Sequence, residues 1–339
     1  MKNVLRSSLI FLSVLSCTSN GDTSIPANTS TSNENSVPSN QWELIWSDEF
    51  SGSKIDTTKW TFLKNCFGGG NDELQCYTDR TKNAVVKNGQ LHIIARKESI
   101  HGQDKDDEDP NYNVNDTSAT RSYSSARLRT KTKGDWKYGR MEIKAKMPQG
   151  QGIWPAIWMM PSEWKYGFWP RSGEIDIFEA VNSNTGIFGN KIHGTLHYGD
   201  FPPKNNLSGT EYTPATNIWD NFHRYSVEWE EGEIRWYVDN VHFATQTKDA
   251  WFTLYDDNGK TIRSQKTEPF DQKFHLILNL AVGGEWPKAP TSATHFPQQM
   301  DVDYVRVYRC NVDLTTGKGC ATNINPEIKP NTPTTVKSE

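Results

Sequence analysis

The feature that most constrains the fold is a series of short segments in which polar and apolar residues alternate. Residues 140–147 (RMEIKAKM) alternate without a fault, and residues 223–229 (HRYSVEW) follow the same pattern. A period of two is typical of a strand with one buried face. Further strands are predicted at 234–238, 241–243 and 303–308, and the apolar run at 274–282 (FHLILNLAV) predicts a strand buried on both faces. Many short strands with turns between them predict an all-β, antiparallel β-sandwich, which we expect to fill one domain over residues 41–312.

Charge and tryptophan content limit the classes of ligand that the protein is expected to bind. The chain has 37 basic and 41 acidic residues, so its net charge is -4. Binding to nucleic acid needs a clustered cationic surface, and we therefore expect no nucleic-acid partner. Tryptophan is almost as frequent as phenylalanine, with 13 residues against 14. These rings either fill a β core or line a groove for flat ligands such as sugars.

The first 40 residues resemble an export signal and a tether. A short basic region precedes the apolar residues 9–15, which are too few to span a bilayer as a helix. The apolar stretch ends in VLSC, which resembles a bacterial lipobox. Residues 1–16 are thus predicted as a lipoprotein signal peptide and Cys17 as the lipidated residue; an ordinary secretory signal is the alternative. Residues 17–40, rich in Ser, Thr and Asn, are predicted to be a flexible tether, so the protein would be exported and held at the cell envelope membrane by lipid alone.

Four further cysteines allow three disulfide pairings. Cys66 with Cys76 and Cys310 with Cys320 is the preferred pairing, because each bond would close a short, polar loop that contains glycine. A metal site is the alternative, but no pair has C-x-x-C spacing and no histidine cluster lies nearby.

Two polar segments lie outside the strand pattern. Residues 99–122 carry six acidic residues and are predicted to be a solvated insertion loop; a calcium loop is the alternative, although the EF-hand spacing is absent. Residues 313–339 are predicted to be a polar tail that is disordered from Ala321 onward.

Three carboxylates occur together in residues 173–179 (GEIDIFE). On a regular strand Glu174 and Asp176 share a face, but Glu179 would point into the core, where a lone carboxylate is very costly. A β-bulge near Phe178 would add one residue and return Glu179 to the face of the other two. We therefore predict a bulged strand with convergent acids; a solvated acidic face is the alternative.

Convergent carboxylates with nearby aromatic rings suit glycoside hydrolysis. A retaining enzyme needs two carboxyl groups roughly 5–5.5 Å apart, one ionised and one protonated. Asp176 between the glutamates would help to keep one proton in the cluster by like-charge repulsion. Trp154 and Trp158 lie on one face of a predicted strand, and Trp286 follows a Gly-Gly turn as an exposed ring. We interpret Trp286 as a sugar platform; an aromatic residue that caps the sandwich edge is the alternative.

At these residues the chain resembles glycoside hydrolase family 16, and within it the bacterial laminarinase-like endo-β-1,3-glucanases. A single E-x-D-x-x-E pattern is weak, but here a whole series of segments occurs in order. The series comprises WSDEF at 46–50, NDELQCYT at 71–78, SARL at 125–128, YGR at 138–140, GIWPAIWM at 152–159, the acidic strand, and VDYVRVY at 302–308.

The resemblance implies a jelly-roll sandwich with a substrate groove on its concave face, and retaining cleavage of β-1,3-glucan without a catalytic cofactor. Glu174 matches the nucleophile, Glu179 the acid/base and Asp176 the assisting acid. The resemblance places these residues in or near the groove: Asn71, Arg127, Trp154, Trp158, His197 and Trp286. Members often carry a structural Ca²⁺, whose matching ligands are Glu49, the backbone of Gly89, and Asp303; plain surface acids are the alternative.

Two departures from the family pattern affect the ends of the groove. Glu285 replaces the usual neutral residue before Trp286, and the insertion at 99–122 is longer than in many relatives. The substrate therefore stays open between β-1,3-glucan and, by the same chemistry, mixed-linkage β-1,3-1,4-glucan or an algal galactan. A non-catalytic glycan-binding lipoprotein is the remaining alternative, and we expect a monomer in each case.

Overall fold

The structure, a computed structural model, describes residues 41–331, and all regular elements in that range are strands. The predicted signal peptide (1–16), Cys17, the tether (17–40) and residues 332–339 lie outside the described residues. No helix long and apolar enough to cross a membrane occurs between residues 41 and 331. The strands are β1 (Trp42–Asp48), β2 (Thr61–Phe62), β3 (Gln75–Tyr77), β4 (Ala84–Lys87), β5 (Gln90–Gly102), β6 (Ala119–Ser125), β7 (Arg127–Arg129), β8 (Asp135–Trp136), β9 (Gly139–Lys146), β10 (Ile153–Pro161), β11 (Glu174–Glu179), β12 (Ile192–Gly199), β13 (Asn205–Tyr212), β14 (His223–Glu230), β15 (Glu233–Val238), β16 (Val241–Thr247), β17 (Thr253–Asp257), β18 (Lys260–Ser264), β19 (Phe274–Val282) and β20 (Gln298–Cys310).

The strands form two sheets of ten. The first sheet has the order β16-β15-β14-β9-β20-β5-β6-β3, with β1 beside β20 and β4 beside β5. The second has the order β18-β17-β12-β11-β10-β19-β7-β2, with β13 beside β12 and β8 beside β19. Two pairings, β3 with β6 and β12 with β17, are parallel, and the other pairings are antiparallel. The predicted all-β sandwich is confirmed, and its two best alternating segments are the neighbours β9 and β14.

The apolar core lies between the two sheets. From β9, Met141 and Ile143 are fully buried, and Ile157 of β10 and Leu278 of β19 belong to the same cluster. Every residue of β19 is buried, as its apolar run predicts. Five of its nine side chains belong to this core, and the four that alternate with them lie on the opposite face, beneath the site described below. The continuous apolar run therefore marks the centre of the second sheet.

Both preferred disulfides are present. Cys66 is bonded to Cys76, and Cys310 is bonded to Cys320. The second bond joins the end of β20 to the segment that follows it. The two cross-links therefore close the short loops that the sequence indicated.

The segment after Cys320 is ordered against the outer face of the first sheet. The backbone N–H of Thr322 donates to Glu228 at 3.0 Å, and that of Asn325 donates to His242 at 3.1 Å. Asn331 donates to the Thr245 carbonyl at 3.2 Å. The prediction of disorder is therefore wrong for residues 321–331, because their backbone groups find acceptors on strands that are distant in sequence.

Candidate active site

The predicted bulge is present in β11. Asp176 and Glu179 are three residues apart, but their partners on β12 are only two apart. Ile177 and Phe178, which lie between them, both belong to the core and are almost fully buried. Two successive residues thus face inward, and the one after them returns to the outer face. Glu179 consequently shares that face with Glu174 and Asp176.

A tryptophan from the opposite sheet stabilises the bulge. The indole N–H of Trp236 donates to the backbone carbonyl of Asp176 at 2.7 Å, which satisfies a group beside the break in the ladder. Trp236 approaches so closely that a Cβ on Gly194 would lie 2.5 Å from its ring. Phe178 packs on Tyr225 with ring centroids 4.4 Å apart. The bulge therefore depends on contacts across the whole sandwich.

The surroundings of Asp176 favour its protonated form, beside Glu174. Its side chain is 1% exposed. Burial, followed by the negative charge and the hydrogen bond of Glu174, raises the pKa of Asp176 well above its usual range. Protonated Asp176 then donates to Glu174, which also accepts the indole N–H of Trp169 at 2.5 Å. Two donors thus hold the Glu174 carboxylate in a defined orientation.

Glu179 lies partly exposed on the same face, and its environment favours the protonated form. Burial raises its pKa well above the usual range, and the negative charge of Glu174 acts in the same direction. His197 and the indole N–H of Trp154, which donates to Glu179 at 3.0 Å, lower its pKa, but these effects are smaller than the effect of burial. A protonated Glu179 beside an oriented Glu174 is the pair that acid-assisted displacement requires.

His197 completes the cluster. Its Nε2 lies 3.3 Å from a carboxylate oxygen of Asp176, and its ring lies 5.8 Å from that of Trp169. One ligand atom each of Glu174, Asp176 and His197 lies within 4.8 Å of the others, a spacing that could also hold a cation. A cation there would have to compete with the proton that Asp176 holds.

Strand register extends the site across the second sheet. Glu179 pairs with Ala156 of β10, which pairs with Asn279 of β19, which in turn pairs with Arg127 of β7. Side chains that pair across strands point to the same face. Arg127 therefore lies on the face of the acids, three strands away.

Trp158 is fixed from both sides. Its indole N–H donates to Asn279 at 2.7 Å, and the Arg127 guanidinium lies 4.5 Å from its ring. The Asn279 amide donates to the Tyr77 hydroxyl at 3.1 Å, and this hydroxyl donates to Glu73 at 3.2 Å. The chain of hydrogen bonds leaves Trp158 half-buried with a defined ring plane.

Trp286 and Asn71 lie beside Trp154. The Trp286 ring stands edge-on to Trp154 at 5.4 Å and to His193 at 5.0 Å. The Asn71 carbonyl accepts the backbone N–H of Glu285 at 2.8 Å. The structure thus brings all six residues that were predicted to bind substrate to one face, together with the three acids.

Three residues of this face were not predicted from the sequence as site residues: Trp169, His193 and Asn279. Trp169 lies in WPRSG directly before the acidic strand, so its position could have indicated it. Asn279 is one of two polar residues in the apolar run of β19. A polar residue within such a run is itself a signal, since burial requires a partner for it.

Two of the predicted calcium ligands, Glu49 and Asp303, lie elsewhere, near the pairing of β1 with β20. Glu49 accepts both N–H groups of Arg306, at 2.9 and 2.8 Å, and Asp303 pairs with Lys144 at 2.9 Å. Gly89 lies in the turn between β4 and β5. Calcium would have to displace the cationic side chains of Arg306 and Lys144 here, so this calcium site stays a prediction.

Comparison with known proteins gives consistent matches. A family profile described as "Glycosyl hydrolases family 16" matches residues 70–305. Glucan endo-1,3-beta-glucosidase A1 of Niallia circulans is 40% identical over 277 residues, which are 78% of this chain and 38% of that protein. Beta-glucanase of Rhodothermus marinus is 41% identical over 276 residues, covering 79% and 85%. The crystal structure of the laminarinase catalytic domain of Thermotoga maritima matches with a TM-score of 0.64 and 37% identity, covering 79% of this chain and 98% of that one.

Proposed function

The chain belongs to glycosyl hydrolase family 16, and on that premise we propose that it cleaves β-1,3-glucan internally by a retaining mechanism. The predictions of the family and of glycoside hydrolase activity are confirmed. The observation that carries the mechanism is the bulge in β11, which places Glu174 and Glu179 on one face with Asp176 between them. Without the extra residue Glu179 would lie in the core.

In the first step Glu179 donates its proton to the glycosidic oxygen while Glu174 attacks the anomeric carbon. The bond from that carbon to the leaving oxygen breaks, and a covalent glycosyl ester of Glu174 forms. Trp169 and Asp176 orient Glu174 for attack, because both donate to its carboxylate.

In the second step Glu179 removes a proton from water, which attacks the same carbon and releases Glu174. The negative charge of Glu174 raises the pKa of Glu179 in the free enzyme. Ester formation removes that charge, so the pKa of Glu179 falls when the residue has to act as a base. Two displacements at one carbon retain the β configuration.

The aromatic residues favour a neutral glucan over a sulfated galactan. Trp154, Trp158 and Trp286 present half-buried rings on which sugar faces can pack. The negative charge of Glu174 lies at the centre of the site, and a sulfate group bound beside it would meet like charge. These features support β-1,3-glucan as the substrate.

Release of reducing sugar from a panel of polysaccharides tests the proposal. Laminarin should be cleaved fastest, ahead of mixed-linkage β-glucan, agar and carrageenan. NMR should show the β-anomer as the first product. Faster cleavage of agar or carrageenan than of laminarin would overturn the proposed substrate. Tight binding of laminarin without cleavage would indicate a glycan-binding protein instead.

We also propose that the protein is exported and lipidated at Cys17, on the basis of the apolar stretch and VLSC motif. We propose in addition that it is a monomer. A Cys17→Ser variant expressed in a bacterial host should lose incorporation of labelled fatty acid and leave the membrane fraction. Gel filtration of a variant that begins at residue 41 measures the oligomeric state.

For the structural Ca²⁺ we propose Glu49, Gly89 and Asp303 as ligands, supported by the carboxylates that lie where the two ends of the domain pair. Calcium should then raise the Tm relative to a chelator, and Asp303→Asn should remove the increase. An equal Tm in calcium and in chelator would contradict this site.

A further inference from the structure

The acidic insertion is bound to the second sheet rather than solvated along its length. Residues 103–118 connect β5 to β6. Asp107 forms an ion pair with Arg129 at the end of β7, and Glu108 pairs with Lys131 just beyond it. These two acids anchor the predicted loop to the sheet, because cations on β7 and just beyond it pair with them, and Glu108 remains exposed to solvent.

Register places this contact at one end of the substrate face. Arg129 pairs with Ile277 of β19, Ile277 with Trp158 of β10, and Trp158 with Asp176 of β11. Three strand spacings correspond to about 14 Å. The insertion thus reaches the same face as the catalytic acids, but at a distance from the bond that is cleaved.

Glu108 also contacts a second segment, the loop 162–173 between β10 and β11. It accepts the indole N–H of Trp164 at 2.6 Å, and its side chain is 27% exposed. The Trp164 ring lies 5.6 Å from that of Phe168. Phe168 is 65% exposed and directly precedes Trp169, the donor to Glu174.

This aromatic pair, of which Phe168 is exposed and Trp164 half-buried, is suited to bind a sugar. Aromatic surface left in water beside a polysaccharide site is a common binding feature. A ring whose N–H is held by a carboxylate loses little further freedom when a ligand packs on it. Glu108 supplies that restraint from a segment 56 residues away in sequence.

We propose that Glu108 determines specificity for long substrates, because it fixes Trp164 and Phe168 as an outer platform for a glucosyl unit distant from the cleaved bond. The inference rests on the proposed function and adds a positioning residue to it. The platform serves a neutral β-glucan chain that extends along the groove past the catalytic acids.

The test compares variants on laminari-oligosaccharides of increasing length. Phe168→Ala should lower kcat/KM on laminarin roughly fivefold through KM, because it removes a stacking surface of ordinary strength. It should leave the shortest cleaved oligosaccharide unaffected. Glu108→Ala should act similarly, whereas Glu108→Gln should stay near the unmodified enzyme, since an amide oxygen still accepts the Trp164 N–H.

Two matched controls separate this role from simple anchoring of the insertion. Asp107→Asn removes the neighbouring ion pair but not the contact with Trp164, and Asp104→Asn removes an exposed acid of the same segment. Both should behave like the unmodified enzyme. The double variant Glu108→Ala with Trp164→Ala should be no worse than Trp164→Ala alone, because Glu108 acts through Trp164.

Equal losses at every substrate length, or an Asp107→Asn loss as large as that of Glu108→Ala, would overturn the inference. Unchanged kinetics in Phe168→Ala would do so too, and Tm values exclude misfolding as the cause of a loss. Failure of the unmodified protein to cleave laminarin would instead refute the proposed function, and the platform with it.

Discussion

The assignment of roles to the two glutamates predicts opposite products when each is removed. Glu179→Ala deletes the proton donor but leaves Glu174 oriented by Trp169 and Asp176. Glu174→Ala deletes the nucleophile but leaves Glu179 in place. Azide, a small anion, can then enter the space of the missing carboxylate.

The size of the loss follows from the chemistry of the missing group. A positioned general acid contributes roughly 10²–10⁴-fold, or about 3–5 kcal/mol of the barrier. Glu179→Ala should lose that amount on laminarin. It should lose much less on an activated aryl oligosaccharide, whose phenolate leaves without protonation. Glu179→Gln is the matched control for stability, because its amide oxygen still accepts the Trp154 N–H.

NMR of the azide products distinguishes the roles. In Glu179→Ala, azide replaces water in the second step, so the β-glycosyl azide should form. In Glu174→Ala, azide attacks in place of the nucleophile and should give the α-glycosyl azide. The reverse pairing of variant and product would refute the assignment, and full laminarin cleavage by either variant would refute the mechanism.

Three further outcomes are expected. Trp154→Phe removes an N–H that lowers the pKa of Glu179, so the pKa of Glu179 should rise. Because Glu179 acts as an acid only when protonated, the basic limb of the pH profile of kcat/KM should move to higher pH. A basic limb that stays in place or moves to lower pH would contradict this. Asp176→Asn keeps a neutral donor to the nucleophile, so kcat should exceed that of Asp176→Ala, and equal values would show that Asp176 is not a neutral donor. Glu228→Ala leaves buried Arg140 with only one of its two 2.8 Å carboxylate partners, Glu142, and urea titration should show a loss of about 1–3 kcal/mol in unfolding free energy while laminarin cleavage persists.

Much of the site can be predicted from local sequence, because the face that a strand residue takes depends on whether its position is odd or even. Glu174 and Glu179 are an odd number of residues apart, and a buried lone carboxylate is costly, so an irregular strand is required. The donors that orient these acids are less predictable. Trp169 lies in a loop, and nothing in its local pattern indicates which carboxylate it reaches.

The C-terminal segment and the insertion are likewise features whose contacts local sequence does not predict. Residues 321–331 and 103–118 are polar and lack periodicity, so their sequences predict solvent exposure. Their order comes from partners such as Glu228 and Trp164, which are far away in the chain.

The sequence alone therefore determined the sandwich, the bulged acidic strand and the family, since alternation and residue spacing are local properties that a strand must obey. The tertiary structure decided which groups meet: Trp236 at the bulge, Asp176 as the proton holder, and Glu108 against Trp164. These contacts depend on strand order and register between distant segments. A period of two specifies which face a side chain takes, but not which partner it finds there.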